Sequence, residues 1–466
     1  MTTLNAGSGA DGNATVSADK NISTESLVGR GYADMIPYQC SSVGSSSCVA
    51  SEAPNGIVAG DEVLLINWQG ISGDTDNVGN YETFIVDSIN VNTITFTASK
   101  TKNYGNTGGD TNIGTGGTNQ RVRVQRIPQY NNLTIDNGYT LTANDAWDTS
   151  TGGILFLRAA GTLLVNGSIS MTGAGYTGGY NNYSGSWYYR TGAGINGGPR
   201  SALKSTTSWW STSNLGGGAR GGHDGSKWAC GAGGGYGTVG EDGDDTDNVP
   251  ETQGGSTYGE ETLAKLFLGS GGGSGEETGE ESGDVLADGG GAIAIFTTTL
   301  DVYGNILCDG QTSVPVPSLQ NQPGGAGSGG SILIHAGTIY TRSSTFTAIG
   351  AIGDTTPQPG SWKGGDGGDG RIAISYASLG DNLSAVDPTP YTDSGLELPY
   401  KISGTASENC TVRVYNSSWV FVTSEVVSAG AYEISNLPNA GPFYVISESD
   451  TSGRNLISYK AIVPTQ

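Results

Sequence analysis

Residues 152–173 read GGILFLRAAGTLLVNGSISMTG, and this pattern returns twice with its spacing intact. The second copy, GGAIAIFTTTLDVYGNILCDG, covers residues 290–310, and the third, GGSILIHAGTIYTRSSTFTAIG, covers residues 329–350. Each copy contains a Gly pair, an alternating apolar strand, a short break and a second alternating strand. Alternation with a period of two predicts half-buried β-strands rather than helices.

The repeat predicts a body of stacked strands. A fourth start, GDGRIAISY, begins at residue 368. From the second copy onward the starts are about 40 residues apart, which is the spacing of solenoid or array repeats. The alignment places Leu157, Ile295 and Ile334 in one apolar column. We therefore predict an all-β chain whose body is a Gly-rich β-solenoid or stack of strands.

A large insertion, at about residues 174–289, separates the first copy from the second. Loops of that size are uncommon in compact domains unless they are functional, and a regular array offers them a rigid scaffold. We therefore expect the insertion to carry the function.

Changes in composition predict the remaining domain boundaries. Residues 1–55, which are rich in Ser, Gly, Asn and Ala, are predicted to form an extended N-terminal arm. Apolar alternation over residues 56–130 predicts a β-meander or barrel-like domain. The repeat body follows at residues 131–386, and a Pro-bearing linker at residues 387–398. Short strands and turns in residues 399–466 predict a small Ig-like sandwich.

Composition narrows the class of protein. Glycine accounts for 79 of the 466 residues, far above its average share of about 7%, yet no G-x-y period is present and the apolar strands argue for ordered structure. The net charge of −23 repels nucleic-acid phosphates and anionic membranes, so we predict that the chain binds no nucleic acid. No apolar run approaches the ~18 residues of a membrane span, and membrane insertion is not expected.

The five cysteines are scattered without a CxxC motif and the chain has two histidines, which excludes a structural zinc site. A Cys40–Cys48 disulfide and five free thiols remain as alternatives. The N-terminus, MTTLNAGSGADG, has neither a basic region nor an apolar core typical of a signal peptide. We expect either a processed or recombinant chain, or one that leaves the cell by assembly and lysis.

The insertion also has the densest Tyr and Trp content in the chain. Rigid aromatic rings among Gly, Asn and Ser are typical of recognition surfaces. The alternative is that these rings pack inside the insertion, where they replace a core that glycine cannot supply. The candidate binding residues are Tyr176, Tyr180, Tyr183, Trp187, Tyr188, Tyr189, Trp209, Trp210 and Trp228.

An acidic run offers a candidate calcium site, because Ca²⁺ binds carboxylate and carbonyl oxygens. Its match to the EF-hand pattern is imperfect, and a solvated loop is the alternative. The candidate ligands are Glu241, Asp242, Asp244, Asp245 and Asp247. No other cofactor is predicted.

Catalytic motifs are not evident in the sequence. No Gly run is followed by the Lys-Ser/Thr pair of a phosphate-binding loop, and no Ser/His/Asp motif is visible. No two acids stand out as a glycosidase pair. We therefore predict a protein that is not an enzyme.

The C-terminal segments KISGTA, CTVRVYN, GAYEISNLP, PFYVISESD and YKAIVP resemble the small transthyretin-like or carboxypeptidase-regulatory-like sandwich appended to phage tail and bacterial surface proteins. The body, with AGDEVLLINWQG, NVGNYETFIVDSI and QRVRVQRIPQYNNLTI, is similar to glycine-rich extracellular and phage-encoded proteins. It also resembles tip adhesins of phage tail fibres, in which polyglycine segments pack as a sandwich of polyproline-II-like helices. The Gly runs here are shorter and interrupted by acids, which favours a cluster of Gly-rich loops.

These resemblances imply a structural component of a phage virion, such as a tail fibre or tail tip, that recognises a host surface glycan or protein. A homotrimer is expected, because symmetry covers the exposed strand edges of a repeat body. The N-terminal region is expected to bind other virion proteins. The alternatives are a glycine-rich adhesin on a bacterial cell surface and a tailspike that depolymerises polysaccharide.

Overall fold

The computed structural model divides the chain into two compact units, one of Ala6–Asp393 and one of Met1–Asn5 with Ser394–Gln466. Among the described residues no helix forms, and hence none that is long and apolar enough to cross a membrane. The described residues are 3–143, 153–179, 182–183, 187–197, 201–203, 216–219, 223–224, 227–244, 252–275, 287–313, 323–354, 362–383, 385–398, 400–406, 409–415, 421–437, 443–449, 455–456 and 461–462.

The regular structure of these residues is all β, as predicted. The N-terminal strands are β1 (Gly12–Val16), β2 (Lys20–Asn21), β3 (Pro37–Val43), β4 (Ser47–Ala50), β5 (Glu62–Gln69), β6 (Tyr81–Asn90), β7 (Thr93–Phe96), β8 (Arg121–Arg126), β9 (Gln129–Ile135) and β10 (Thr140–Thr142). The repeat body contains β11 (Ile154–Val165), β12 (Ser168–Ser170), β13 (Asn182–Tyr183), β14 (Trp187–Arg190), β15 (Ser201–Leu203), β16 (His223–Asp224), β17 (Lys227–Trp228), β18 (Ala292–Val302), β19 (Asn305–Leu307), β20 (Ser331–Thr341), β21 (Thr345–Thr347), β22 (Arg371–Leu379), β23 (Val386–Asp387) and β24 (Tyr391–Asp393). The C-terminal strands are β25 (Tyr400–Ala406), β26 (Cys410–Tyr415), β27 (Phe421–Val427), β28 (Gly430–Leu437), β29 (Phe443–Ser449), β30 (Asn455–Leu456) and β31 (Ala461–Ile462).

Two parallel sheets form the predicted solenoid. The first sheet has the order β1-β9-β11-β18-β20-β22-β24, and the second has the order β2-β10-β12-β19-β21-β23. Six coils therefore contribute one strand to each sheet, and β24 adds a seventh strand to the first. The alternating apolar side chains meet between the sheets. Leu157 pairs with Ile295, and Ile295 with Ile334, so the predicted apolar column is confirmed.

The long strands of the first sheet are buried on both faces over their first half, beyond the simple alternation expected from the sequence. In β11 the residues from Ile154 to Ala159 are all buried, whereas alternation returns near Val165. On the outer face, the rings of Phe156 and Phe296 stack with centroids 5.1 Å apart. The outer face lies under the β3–β8 region and part of the insertion, which explains the continuous apolar run.

Six strands close a barrel in the order β3-β4-β7-β6-β5-β8. The predicted boundary at residue 56 is therefore too late, since β3 and β4 belong to the barrel. The N-terminal arm is also not simply extended, because β1 and β2 pair with β9 and β10 of the solenoid. Closure removes the free strand edges that a smaller meander would leave.

A buried ion pair joins the barrel to the solenoid. The Nε and Nη2 atoms of Arg158 in β11 donate to the two carboxylate oxygens of Glu62 in β5, at 2.7 and 2.8 Å. The pair is bidentate, and both residues are less than a tenth exposed. The barrel is thereby held against the first sheet.

All five cysteines are buried and none forms a disulfide, which decides between the two alternatives for Cys40 and Cys48. Both lie in the core of the barrel. Burial raises the pKa of the Cys40 thiol, and a hydrogen bond with Cys48 acts in the same direction.

In the second unit, β25 pairs with β28, and β26 pairs with β27 and β29, all antiparallel. Val412 and Val414 of β26 are fully buried in an apolar cluster. The described strands thus fall into two antiparallel sheets, while the Ig-like connectivity stays a prediction.

Candidate functional site

The backbone of residues 230–237 bonds to its neighbours with a period of three. The N–H groups of Gly231 and Gly234 donate to the carbonyls of Pro323 and Ala326, both at 2.9 Å. Between them, the N–H group of Ala232 donates to segment 216–219, and that of Gly233 donates to segment 241–244. Polyproline II has three residues per turn and no internal hydrogen bonds, so its N–H groups point to successive neighbours in this way.

The same period governs residues 323–330. The N–H groups of Ala326 and Gly329 donate to Gly365 and Gly368, both at 3.0 Å. These segments together form what we call the glycine lattice. The described lattice segments are 174–179, 191–194, 216–219, 230–237, 238–244, 252–256, 268–275, 287–291, 308–313, 323–330, 348–354 and 363–370.

Glycine is required in the lattice because neighbouring backbones approach too closely for a side chain. A Cβ atom on Gly233 would lie 1.8 Å from the carbonyl oxygen of Asp366, and one on Gly325 would lie 2.0 Å from that of Ala232. The expected cluster of Gly-rich loops is therefore wrong for these residues, which form an ordered backbone lattice.

The acids that interrupt the Gly runs belong to the lattice rather than disrupting it. Asp366 and Asp369 are three residues apart and therefore lie on one face of their segment. Their Oδ1 atoms accept the N–H groups of Gly353 at 2.6 Å and Gly350 at 3.2 Å. Each carboxylate thus takes the place of a carbonyl acceptor at the outer segment, and Lys363 pairs with Asp366 at 2.6 Å.

The lattice grows directly out of the solenoid coils. After β19 the chain leaves along residues 308–313 and returns along 323–330 into β20, and after β21 it leaves along 348–354 and returns along 363–370 into β22. The outgoing and returning segments are antiparallel neighbours. These two coils therefore each extend into a pair of antiparallel extended segments.

The described ends of these paired segments lie at one edge of the lattice, which we call the distal edge. Gly231 bonds to Pro323, Cys230 to Asp244, and Gly364 to Asp354, so the ends of different segments lie level with one another. The opposite edge is continuous with the solenoid strands. We call the stretches of sequence that join these ends the distal connections, and they are residues 180–190, 220–229, 245–251, 276–286, 314–322 and 355–362.

Tyr176 does not belong to a binding surface. Its ring is fully buried, and its hydroxyl donates to the carbonyl of Trp68 in the barrel. Burial raises the pKa of this hydroxyl. For Tyr176 the alternative of core packing is correct, because its lattice segment lies against the barrel and the first sheet.

The other predicted aromatic residues fall in or near the connections. Tyr183 lies on β13, and Trp187, Tyr188 and Tyr189 lie on β14, which pairs antiparallel with β13 and β15. Trp228 lies on β17, which pairs with β16. For these residues the backbone alone is described. The predictions at Tyr180, Trp209 and Trp210 fall outside the described residues.

Sequence reasoning missed a cluster of aromatic rings in the core of the insertion. Tyr236 and Tyr258 lie with ring centroids 4.7 Å apart, and Tyr258 and Phe267 at 5.5 Å. They pack against Leu333 and Ala373 on the outer face of the first sheet. The sequence did contain a signal for this cluster. Small residues such as Ala373 on the outer face of the sheet leave room for rings that cover it.

Three of the five candidate calcium ligands are described. Asp242 and Asp244 accept the backbone N–H groups of Gly254 and Lys363, each at 2.7 Å, and Glu241 lies 3.5 Å from the Lys363 ammonium. Within the described part of the chain, no group of three or more potential ligands could hold a metal ion. Asp245 and Asp247 lie outside it, and the calcium site stays a prediction.

Two further carboxyls have perturbed acidity inside the lattice. Burial raises the pKa of Asp288 to about 6, although the N–H group of Gly178, 2.8 Å from its Oδ1, acts in the opposite direction. Burial also raises the pKa of Asp309, whose oxygens accept bonds from Ile349 and Thr347. These groups support the lattice and do not form a described catalytic pair.

No family model matches the sequence, and no curated protein sequence matches it. Among solved structures, the chain is similar to the tailspike gp61 of Pseudomonas phage phi297, with 9% identity, a TM-score of 0.14, and 92% of this chain and 83% of that chain covered. The tailspike gp49 of Pseudomonas phage LKA1 gives 11% identity and a TM-score of 0.14, with 88% and 80% covered.

The Gp54 tailspike of Acinetobacter baumannii bacteriophage AP22, solved in complex with a capsular saccharide, gives 9% identity and a TM-score of 0.15, with 82% of this chain and 70% of that chain covered. At TM-scores this low, these likenesses carry no argument about the function of this chain.

Proposed function

We propose that this protein is a structural component of a phage virion, a tail fibre or tail tip, that binds a host surface polymer through the distal edge of its glycine lattice. The observation that carries the proposal is that the described ends of the lattice segments lie level with one another at one edge, away from the solenoid strands. The distal connections therefore all start and finish at this edge.

The lattice is suited to presenting such a surface. Each described segment is hydrogen-bonded to several neighbours, and the solenoid strands hold its other end. A rigid scaffold lowers the conformational cost of binding and lets the connections vary in sequence without disturbing the fold. These are the properties expected of a recognition surface that must adapt to different host polymers.

Charge favours a polymer that is not strongly acidic. The chain carries a net charge of −23, and Glu241, Asp242 and Asp244 are exposed in the lattice segment that ends at the distal edge. Like charges repel an acidic polymer at long range. An uncharged glycan or a protein surface therefore fits the proposal better than a polyanionic capsule.

The test uses the aromatic residues of a distal connection. Trp187, Tyr188 and Tyr189 are replaced together by Ala, and binding of the fluorescently labelled protein to a panel of bacterial strains is measured by flow cytometry. Loss of binding to a recognised strain, with an unchanged circular dichroism spectrum, is the expected result. The matched control is Val239→Ala, an exposed position at the turn on the solenoid side of the lattice.

Retained binding in the triple variant would contradict the role of this connection, as would equal loss in the control. A chain that binds no strain of the panel also counts against the proposal. Labelled protein located on intact virions by electron microscopy separates a virion component from an adhesin of the bacterial surface.

The proposed role is binding rather than catalysis. Incubation with purified host polysaccharide should therefore produce no new reducing ends. We further propose a homotrimer attached to other virion proteins by its N-terminal region. A monomeric mass by light scattering at micromolar concentration would contradict the trimer.

A further inference from the structure

Two tyrosines, an arginine and two aspartates lie together where three neighbouring strands of the first solenoid sheet end. Strands β18, β20 and β22 are parallel, so their C-terminal ends lie side by side, about 4.8 Å apart per coil. We call this group the tyrosine–arginine patch. Its members are Asp301, Tyr303, Tyr340, Arg342 and Asp381.

Arg342 is the centre of the patch. Its guanidinium carbon lies 4.7 Å from the ring centroid of Tyr340 and 5.7 Å from that of Tyr303. Its Nε donates to Asp301 Oδ1 at 3.2 Å, and its Nη1 lies 3.8 Å from Asp381 Oδ2. Each contact is weak alone at a surface. Together they favour a position of Arg342 beside both rings.

The patch combines these contacts with exposed aromatic surface. Tyr303 is 48% exposed although Arg342 packs beside its ring. The ring of Tyr340 lies against Gly380, where a Cβ atom would come within 2.1 Å of a ring carbon. Gly380 therefore provides the space in which this ring is seated. A rigid, exposed tyrosine offers contact area at a low cost in conformational entropy.

We propose that the tyrosine–arginine patch binds an uncharged saccharide. A pyranose presents C–H groups on one face, and these pack favourably on the electron-rich face of an aromatic ring such as Tyr303. Its hydroxyl groups can donate to the carboxylates of Asp301 and Asp381 and accept from the guanidinium of Arg342. The patch thus offers complementary groups both to the C–H face of the sugar and to its hydroxyl groups.

The charge of the patch selects against acidic sugars. It contains two carboxylates and one guanidinium, and the surrounding chain is strongly acidic. A uronic acid would meet net repulsion, whereas a neutral hexose would not. The patch belongs to the solenoid coils and the proposed receptor-binding connections to the lattice, so either proposal can fail without the other.

The test is saturation-transfer difference NMR on the full chain with maltohexaose, cellohexaose and chitohexaose, and with hexagalacturonate as the acidic comparison. At least one uncharged hexasaccharide should receive saturation from the protein. Tyr303→Ala should reduce that signal at least fivefold, and Tyr303→Phe should retain it because the ring remains. Arg342→Gln, which releases both rings, should also reduce it.

The matched control is Tyr139→Ala. Tyr139 is 38% exposed and lies in the turn between β9 and β10 of the same solenoid, away from Arg342. The proposal is overturned if no uncharged hexasaccharide gives a signal, if hexagalacturonate gives the stronger one, or if Tyr139→Ala reduces it as much as Tyr303→Ala. Thermal unfolding of each variant verifies that the fold is intact.

Discussion

The solenoid and the glycine lattice bury their backbones in opposite ways. In the solenoid, strands pair within two sheets, and side chains such as Leu157, Ile295 and Ile334 fill the space between them. In the lattice, successive N–H groups turn to different neighbours, and the backbones approach so closely that a Cβ on Gly233 would collide with a carbonyl. One region is therefore stabilised by apolar side chains, and the other by backbone contacts.

This difference explains why the two regions occur together. A backbone hydrogen bond contributes a net of only about 1 kcal/mol, and ordering a glycine costs about as much or more. The net free energy of folding of the lattice alone is therefore close to zero. The solenoid strands, which bury large apolar side chains, hold the lattice segments at one end and so reduce the entropy that their assembly must overcome.

The largest expected effect is in the solenoid. Ile295→Asp places an unpaired charge in a fully buried column and should lower the free energy of unfolding by about 4 kcal/mol or more. Because the lattice depends on the solenoid, both regions should unfold together, as seen by circular dichroism during thermal denaturation. Ile295→Val is the control and should cost about 1 kcal/mol. Unchanged melting of Ile295→Asp would disprove the alignment of the coils.

A smaller but still large effect is expected in the lattice. Gly325→Ala adds one methyl group that would lie 2.0 Å from the carbonyl oxygen of Ala232. We expect it to lower the free energy of unfolding by about 2–3 kcal/mol, because the segments must separate. The matched control is Gly109→Ala, where a Cβ meets no atom within 4 Å.

Equal melting temperatures for Gly325→Ala and Gly109→Ala would mean that the lattice is looser than the hydrogen bonds indicate. A lower stability for Gly325→Ala alone would confirm that the lattice excludes side chains.

The solenoid was predictable from the sequence because it is stabilised by apolar side chains, whose pattern is visible in the sequence. The period-two alternation of Leu155, Leu157, Ile293 and Ile295 follows directly from strands with one buried face. The barrel was only partly predictable, since β3 and β4 (PYQCSSV and SCVA) alternate weakly and form because closure covers an edge.

The lattice could not be predicted with the same rules, because a backbone that bonds in three directions leaves no apolar period. In the sequence, the lattice is indicated by acids spaced three residues apart within Gly runs, as in GGDGGDG at residues 364–370. Tyr176 was misassigned for a related reason. The aromatic residues of the insertion share similar Gly-rich neighbours in the sequence, which does not show that Tyr176 lies in a lattice segment packed against the barrel.

The smallest effect concerns the acids of the lattice and appears as a dependence on pH. Asp288 accepts the N–H group of Gly178, yet burial raises its pKa from 3.8 to about 6. A raised pKa means that the folded state binds the proton more tightly than the unfolded state. The free energy of unfolding contributed by this group therefore falls as pH rises from about 4 to about 6, and is constant above that range.

Asp288→Asn removes this dependence, because the amide keeps an oxygen for the Gly178 N–H group and carries no charge to desolvate. Relative to the wild type, the variant should gain on the order of 2 kcal/mol between pH 4 and pH 7 in urea unfolding.

Asp242→Asn is the control, since that exposed acid also accepts a lattice N–H group but keeps its hydration. Parallel stability curves for wild type and Asp288→Asn over this range would show that the Asp288 carboxyl is solvated, and that the lattice is open to water at this position. A difference in stability that grows with pH for Asp288→Asn alone would show that the lattice excludes water from the Asp288 carboxyl.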